Sequence, residues 1–333
     1  MTSTRVPDGG LAVAIDGGNS KTEVVVLERE HGANGGLVER VRAIGSGSGA
    51  GPDAVAAEVG ALLRETGTEP ARVSRVSAAV AGLDFPGDDV VYRTALSGLF
   101  PHAQVDVVGD AVAVLEAGAG AGHALAIVCG AGLNAVARGP LGVASVPALG
   151  WASGDGGGGD ELGREAVRAA ARAEDGRGPA TALRALVLAE TEAADTVELA
   201  RSIRDGRVSM RAVGALAAIV ARAAADGDAV AGDLIARAAS EAFLLAGVVA
   251  RGAWGAEASI PPGTPAVLAG GVFSDPGFRT HVSDGLRDLG FDPYPLEFRP
   301  VDGIVRTLRE SESGQPGTPA RPAAEPDTTD PAP

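Results

Sequence analysis

The stretch LAVAIDGGNSKTEVVVL, residues 11–27, constrains the fold most because it sets a glycine-rich loop between two apolar, β-branched runs. The loop carries residue types found in phosphate-binding sites, namely Gly17, Gly18, Ser20, Lys21 and Thr22. A Walker A loop needs a glycine before its lysine and a helix after it, and this sequence has neither. The pattern therefore predicts a phosphate-binding hairpin between two strands, with a plain glycine-rich turn as the alternative.

The apolar pattern alternates between short β-branched runs and longer amphipathic segments. In the first part of the chain it predicts the order β-β-β-α-β-α-β, with strands over 11–15, 23–27, 37–43, 73–80 and 105–108 and helices over 52–65 and 88–99. The second part begins again with strands over 124–128, 133–137 and 141–146, followed by helices between 160 and 252, a strand over 266–269 and a helix over 276–289. We therefore expect an α/β fold built from two copies of one unit, joined near 110–122.

Composition narrows the classes of function. The formal net charge is -15 and the basic residues are scattered, which argues against binding to nucleic acid or to an anionic membrane. No stretch is long and apolar enough to span a bilayer, no secretory leader is evident, and Cys129 has no partner for a disulfide, so we expect a cytoplasmic protein. One cysteine and four histidines leave no ligand set for zinc or an iron-sulfur cluster, so any metal should be a hard cation.

A second glycine cluster, IGSGSGAGPDAVAAEV at 44–59, lies between a predicted strand and a predicted helix. This is the setting of a dinucleotide-binding fingerprint, which is the main competing signal. Here, however, the loop follows the third strand, and no acidic residue closes a strand about 20 residues further on. The other alternative is a polar loop with Pro52 at the start of the helix.

Two further motifs carry candidate chemistry. In VVGDAVAVLEAG, residues 107–118, Asp110 falls where a strand ends and a helix begins, so it is either a helix cap or a base that accepts a proton from a substrate hydroxyl. In IVCGAGLNAV, residues 127–136, glycines again separate two strands. A second hairpin of the same kind in the second half of the chain predicts that a polyphosphate is held from both sides.

The last two glycine clusters suggest walls of a ligand pocket. In LGWASGDGGGGDELGREAV, residues 149–167, Asp155 is placed to bind sugar hydroxyls and the amides at the helix start offer an anion site. In AVLAGGVFSD, residues 266–275, Gly270 and Gly271 leave room for a flat base against the backbone.

The order of these pieces resembles the actin-like ATPase superfamily and, within it, the N-acetylglucosamine kinase branch of the BadF/BadG-type ATPase family. The resemblance covers about residues 10–310 and is carried by AIDGGNSKTEVVVL, AAVAGLDFPGD, VVGDAVAVLEAG, CGAGLNAVARG, LGWASGDGGGGDELG and AVLAGGVFSD. It implies two ribonuclease H-like domains with a cleft between them, over 1–111 and 112–310. A polar tail rich in proline, 311–333, is expected to be disordered.

The resemblance also implies roles for residues. Asp16 orders the shell of a Mg²⁺ ion, and Asp110 is the general base. ATP is bound by Gly17, Gly18, Asn19, Ser20, Lys21, Thr22, Gly130, Ala131, Gly132, Asn134, Gly270 and Gly271. The sugar substrate is bound by Ser46, Ser48, Gly82, Leu83, Asp84, Trp151, Gly154, Asp155 and Gly156.

Departures from the family pattern concern the acceptor. The loop after the third strand offers Ser46 and Ser48 where an asparagine is usual, and Gly156 replaces a larger residue. The resulting hypothesis is an ATP-dependent kinase of N-acetylglucosamine or a related amino sugar, with a sugar-sensing pseudokinase as the alternative. An iron-sulfur activator would need more cysteines, and a repressor would need a DNA-binding segment before the first strand, where only residues 1–10 lie. The glycine-bordered helix expected over 241–251 is a candidate homodimer interface.

Overall fold

The structure is a computed structural model that describes residues 6–18, 21–32, 35–47, 51–149, 156–257 and 259–313. Its strands are β1 (Leu11–Gly17), β2 (Lys21–Arg29), β3 (Leu37–Ser46), β4 (Val73–Val80), β5 (Gln104–Gly109), β6 (Ala124–Cys129), β7 (Leu133–Gly139), β8 (Gly142–Ser145), β9 (Thr264–Ala269) and β10 (Phe291–Pro295). Its helices are α1 (Pro52–Glu65), α2 (Asp88–Leu99), α3 (Asp110–Ala119), α4 (Gly159–Glu174), α5 (Leu183–Glu190), α6 (Thr196–Arg204), α7 (Met210–Ala215), α8 (Ala217–Ala225), α9 (Ala229–Trp254), α10 (Pro276–Asp288) and α11 (Pro300–Ser313).

The strands form two five-stranded sheets with the same topology. The first has the order β3-β2-β1-β4-β5 and the second β10-β9-β6-β7-β8, which is the same arrangement read from the other edge. In each sheet the first three strands of the unit pair antiparallel, the fourth strand pairs parallel with the first, and the fifth pairs parallel with the fourth. The predicted α/β fold with a repeated unit is therefore confirmed.

Strand β1 is buried on both faces because helices cover both sides of its sheet. Leu11, Val13 and Ile15 face a core formed with α1 and α2. Ala12 and Ala14 point the other way, toward α11 and Ala113 of α3. The alternation follows from the period of two along a strand.

Helix α3 packs between the two sheets. Its Ala113 belongs to the core under β1, whereas Ala111, Val114 and Leu115 pack on Ala124 and Ala126 of β6. The opposite face of β6 packs on α4, α8 and α9 in the largest core of the protein. Helix α3 therefore joins the two sheets through packing on both, and it begins with Asp110.

The end of the chain differs from the prediction. Helix α11 lies within the predicted second domain but packs against the first sheet, where Val301, Ile304 and Leu308 form one apolar stripe. Its last residues, 311–313, are helical although they fall within the tail that is expected to be disordered. Strand β10 has no counterpart among the predicted elements. Its Pro293 and Pro295 are accommodated because β10 is an edge strand.

Within the described ranges, no helix combines the length and the apolar content needed to cross a membrane.

Candidate active site

The candidate site lies at the edge of the first sheet where its parallel strands end. Strands β1, β4 and β5 terminate side by side, as the register of Gly17 with Val80 and of Val80 with Gly109 shows. The carboxyl ends of parallel strands are the usual place for ligands in α/β proteins. The residues that follow these strands include Gly18, the segment 81–84 and Asp110.

The first glycine loop is a hairpin, as predicted. Gly17 pairs with Thr22 in the register, and the Gly18 amide donates a hydrogen bond to the Lys21 carbonyl at 2.9 Å. The strand that follows rules out the Walker A arrangement. Asn19 and Ser20, two of the predicted ATP-binding residues, lie outside the described residues.

Asp16 and Thr22 flank this hairpin with their side chains on opposite faces of the sheet, because Asp16 pairs with Glu23 and Thr22 pairs with Gly17. Thr22 is fully buried, and among the described residues its hydroxyl oxygen has no hydrogen-bond partner. Asp16 is only 6% exposed. Its pKa is raised to about 6, first by burial and then by the charges of Asp110 and Glu23, while Lys21 acts in the opposite direction.

Asp110 is the first residue of α3, and Gly109 occupies the cap position. The carboxylate oxygen Oδ1 accepts hydrogen bonds from the Ala111 amide at 2.8 Å and from the side-chain amide of Asn134 at 3.4 Å. Burial, assisted by the charge of Asp84, raises the pKa of Asp110, and the two hydrogen bonds oppose that rise. A carboxylate whose pKa is raised is a better proton acceptor near neutral pH.

The second glycine loop is also a hairpin. Its strands pair Cys129 with Leu133, and the Gly130 amide donates to the Gly132 carbonyl at 3.0 Å. Asn134 follows directly and reaches Asp110, so the structure brings the second hairpin to the edge of the first sheet. This juxtaposition unites residues predicted from two distant motifs.

The start of α4 supports the second hairpin and does not offer the free anion site expected there. The Gly159 amide donates to the Gly130 carbonyl at 2.8 Å, and the Asp160 amide donates to the Ala131 carbonyl at 2.9 Å. The buried Cys129 thiol donates to the Gly157 carbonyl at 2.9 Å. These amides stabilise the loop because the helix start is packed against it without intervening side chains.

Gly270 and Gly271 have different roles. Gly270 adopts φ 105°, and a side chain there would run into the Cys129 carbonyl, so this glycine is required by the close approach of two strands. A side chain at Gly271 would meet open space. Gly271 and Gly130 line the same cavity of about 250 Å³, which connects the second hairpin with the predicted base-binding glycine.

One wall of this cavity has no counterpart among the sequence motifs. It consists of small residues at the junction of α7 and α8, namely Gly214, Ala215, Ala217, Ala218 and Ala221. Such a wall leaves a flat apolar surface of the kind that ligand pockets present. The only signal in the sequence was the run of alanines in an amphipathic helix, which is equally typical of ordinary helix packing.

The predicted acceptor residues are only partly described. Ser46 lies beside the first hairpin, paired with Lys21, and its hydroxyl donates to Glu58 at 3.4 Å. Gly82, Leu83 and Asp84 follow β4; Gly82 has φ 82°, and the Asp84 amide donates to Asp88 at 3.0 Å. Ser48, Trp151, Gly154 and Asp155 lie outside the described residues.

Gly156 does not lie with the other described acceptor residues, Ser46 and Gly82 to Asp84. It lines a cavity of about 180 Å³ between α4 and α9, together with Glu161, Glu165 and Arg237. The structure therefore places Gly156 beside the second hairpin's supporting helix and records no contact that joins it to Asp110.

The competing dinucleotide motif does not fit this topology. The loop after β3 leads into α1, which begins with Pro52 and has Gly51 at its cap. Strand β3, however, is the edge of the sheet and pairs antiparallel with β2. A dinucleotide fingerprint belongs to the first parallel strand of a β-α-β unit.

The residues present fit a magnesium ion that keeps most of its ligands as water and phosphate. Within the described part of the chain, no group of three or more His, Cys, Asp or Glu side chains is arranged to hold a metal. Asp16 supplies one buried carboxylate near the end of β1. Mg²⁺ is commonly held by one or two carboxylates together with substrate phosphates.

Comparison with known proteins gives the family. The sequence profile of the BadF/BadG/BcrA/BcrD ATPase family matches residues 13–291. The chain belongs to this ATPase family. The match spans both hairpins and Asp110, so the resemblance inferred from the motifs is confirmed. No curated protein sequence matches the chain.

Solved structures share the fold of this ATPase family member. A candidate N-acetylglucosamine kinase from Chromobacterium violaceum is 21% identical, with a TM-score of 0.69 over 91% of this chain and 100% of that one. A second candidate N-acetylglucosamine kinase, from Porphyromonas gingivalis, is 18% identical, with a TM-score of 0.62 over 92% and 99%. Schistosoma mansoni hexokinase in complex with glucose is 16% identical, with a TM-score of 0.53 over 92% and 87%. The two-domain sugar kinase fold is thereby confirmed.

Proposed function

We propose that the protein is an ATP-dependent sugar kinase that transfers the γ-phosphate of ATP to a hydroxyl of N-acetylglucosamine or a related amino sugar. The observation that carries the proposal is the hydrogen bond from Asn134 to Asp110. It joins the second glycine hairpin to a carboxylate at the edge of the first sheet. A site of this kind offers backbone amides for phosphates and a base for a hydroxyl.

The nucleotide is proposed to lie across the two hairpins. The cavity lined by Gly130 and Gly271 takes the adenine, which places the phosphates toward the hairpin amides. Lys21 at the start of β2 carries the positive charge closest to the first hairpin, and its side chain is 43% exposed. Lysine binds phosphate as a point charge with several donors.

Asp110 is proposed to accept the proton of the acceptor hydroxyl. The sugar oxygen then forms a bond to the γ-phosphorus, the bond from that phosphorus to the bridging oxygen breaks, and ADP leaves. The raised pKa of Asp110 suits this role, and its hydrogen bonds with Ala111 and Asn134 fix the carboxylate. Holding the reacting groups in line supplies much of the remaining rate enhancement.

Asp16 is proposed to hold Mg²⁺ with its water and phosphate ligands. When bound, the ion would neutralise charge on the phosphate oxygens. The Asp16 carboxylate, whose charged form is destabilised by burial, gains a cation in that arrangement.

The acceptor is proposed to lie beside Ser46 and the segment from Gly82 to Asp84. Ser48, Trp151, Gly154 and Asp155 are proposed as further contacts, whereas Gly156 is left out because it lines the separate cavity between α4 and α9. The choice of an amino sugar rests on the family motifs and on the description of the two bacterial relatives. A homodimer remains a prediction; Leu244 and Val248 of α9 are exposed on the helix expected to mediate it.

The decisive experiment is a coupled ADP-release assay with a panel of hexoses, amino sugars and N-acetylated sugars, run with MgATP and with EDTA. We expect turnover with at least one N-acetylated or free amino sugar and none in EDTA. Nucleotide and sugar binding without turnover on any member of the panel would favour the alternative, a sugar-sensing regulator of the same fold.

A further inference from the structure

A buried carboxylate beside the first hairpin gathers three cations. Glu23 is fully buried, and its Oε1 accepts hydrogen bonds from Arg299 at 2.8 Å and Arg42 at 3.0 Å. Its Oε2 accepts one from Lys21 at 3.1 Å. Lys21 is the lysine that the proposed function assigns to phosphate, so Glu23 contacts the nucleotide site through that side chain.

The three cations come from different parts of the fold. Lys21 and Arg42 belong to neighbouring strands of the first sheet, whereas Arg299 lies in the segment that connects β10 of the second sheet to α11. Asp302 in the first turn of α11 accepts a further hydrogen bond from Arg42 at 2.7 Å. The cluster therefore ties the phosphate hairpin to the returning end of the chain.

The three cations keep the buried Glu23 carboxylate ionised. Burial raises the pKa of Glu23, but the hydrogen bonds from Arg299, Lys21 and Arg42 outweigh it, and the pKa lies below its ordinary value. Glu23 is therefore anionic at neutral pH. A lysine ammonium has three donors, so Lys21 can keep one on Glu23 and direct the others at phosphate oxygens.

We propose that Glu23 is a positioning residue for Lys21 and that Arg299 makes this positioning depend on the segment leading into α11. Register supports the assignment, since Glu23 lies opposite Asp16 in the β1–β2 pair, directly below the hairpin. Arg299 and Arg42 offset the charge of Glu23, which leaves the charge of Lys21 available to the ligand. Arg42 is shared with Glu39 and Asp302. The inference rests on the proposed function, because it requires that Lys21 binds phosphate.

A double-mutant cycle tests this role. Lys21→Met, Glu23→Gln and the double variant are compared by kcat/KM for MgATP and by calorimetric affinity for ATP and for adenosine. We expect Glu23→Gln to lower kcat/KM about tenfold, the size of one charged hydrogen bond, without changing adenosine affinity. In the Lys21→Met background the second substitution should have no further effect, because Glu23 acts through Lys21.

The chain offers a matched control. Arg29 of β2 and Glu312 of α11 form another pair at 2.7 Å, both 3% exposed, that joins the same two elements away from Lys21. Glu312→Gln should lower stability while leaving the affinity for ATP relative to adenosine unchanged. Arg299→Gln, which leaves Glu23 paired with Lys21 and Arg42, should lower kcat/KM about threefold, again only when Lys21 is present.

The outcomes distinguish the proposed phosphate-binding role of Lys21 from the positioning role of Glu23. If Lys21→Met has no effect on ATP affinity, the proposed use of Lys21 is wrong. If Lys21→Met weakens ATP binding but the losses from Glu23→Gln and Lys21→Met are additive, the positioning role is wrong and the proposed function stands. Should Glu23→Gln fail to fold, Arg299→Gln is measured with Lys21 present and in the Lys21→Met background. Additive losses there would likewise contradict the positioning role.

Discussion

The two glycine hairpins occupy equivalent places in the two sheets, but they differ in chemistry. The first hairpin is bordered by the charged Asp16 and Lys21 and by the buried hydroxyl of Thr22. The second, Cys129 to Asn134, carries no charged side chain and is supported from behind by the amides of Gly159 and Asp160. The first copy of the unit has ionic side chains at its loop. The second copy offers backbone amides and carbonyls and the side-chain amide of Asn134.

This difference suggests a division of labour. The charged hairpin is suited to a metal ion and to phosphate charge, whereas the neutral hairpin is suited to hydrogen bonds along the polyphosphate and to holding the base. Asp110 lies where the two meet, since α3 begins there and Asn134 reaches it from the second hairpin. The following predictions test the contrast.

The largest effect is expected from Asp110→Asn. The amide keeps the shape of the carboxylate but cannot accept the hydroxyl proton, so kcat should fall about 10³-fold, within the usual range for a general base. ATP affinity should be unchanged, because neither hairpin is altered. Single-turnover kinetics and nucleotide titration measure the two quantities, and wild-type activity in this variant would rule out Asp110 as the base.

Asp16→Asn should stabilise the fold while abolishing the response to magnesium. The folded pKa of about 6 exceeds the ordinary value of 3.8, so the charged form costs stability above pH 6 and nothing well below pH 3.8. Removing the charge should raise the free energy of unfolding by about 3 kcal/mol at pH 8 and about half as much at pH 5. Denaturant unfolding in EDTA measures the gain.

The control for that prediction is Asp8→Asn. Asp8 is exposed, and hydrogen bonds from Gly32 and Arg29 lower its pKa, so removing its charge should give no gain in stability. A similar gain from both variants would mean that general charge repulsion, and not the buried site, is responsible. Mg²⁺ should increase the stabilisation by ATP in the wild type and not in Asp16→Asn.

Gly270→Ala and Gly271→Ala should separate structure from binding in the second unit. Alanine at residue 270 would be held at a positive φ against the Cys129 carbonyl, so we expect a loss of about 2 kcal/mol in the free energy of unfolding. Alanine at residue 271 meets open space and should leave stability unchanged, while it narrows the cavity and weakens adenosine binding. Equal destabilisation by the two variants would contradict this assignment.

The local pattern of the sequence predicts most of the fold. The bounds of α1, β4 and α2 match the predicted segments because apolar period, Pro52 and the flanking glycines act within a few residues. The position of α11 and the wall at α7 and α8 depend on tertiary packing, which no local signal encodes. The role of Glu23 has no local signal either, because one of its three cations, Arg299, is distant in sequence.

The smallest effect, and the one that addresses the meeting point of the two hairpins, is expected from Asn134→Ala. The Asn134 amide lowers the raised pKa of Asp110, so its removal should raise that pKa further and move the acid limb of the kcat/KM profile to higher pH. At the plateau above that limb the loss should stay below about tenfold, because one long hydrogen bond to a carboxylate is removed. Asn134→Asp provides a graded comparison, since a second carboxylate beside Asp110 should shift the limb more than alanine does. If the limb moves equally in both variants or not at all, the second hairpin does not act on the base, and its part is limited to the nucleotide.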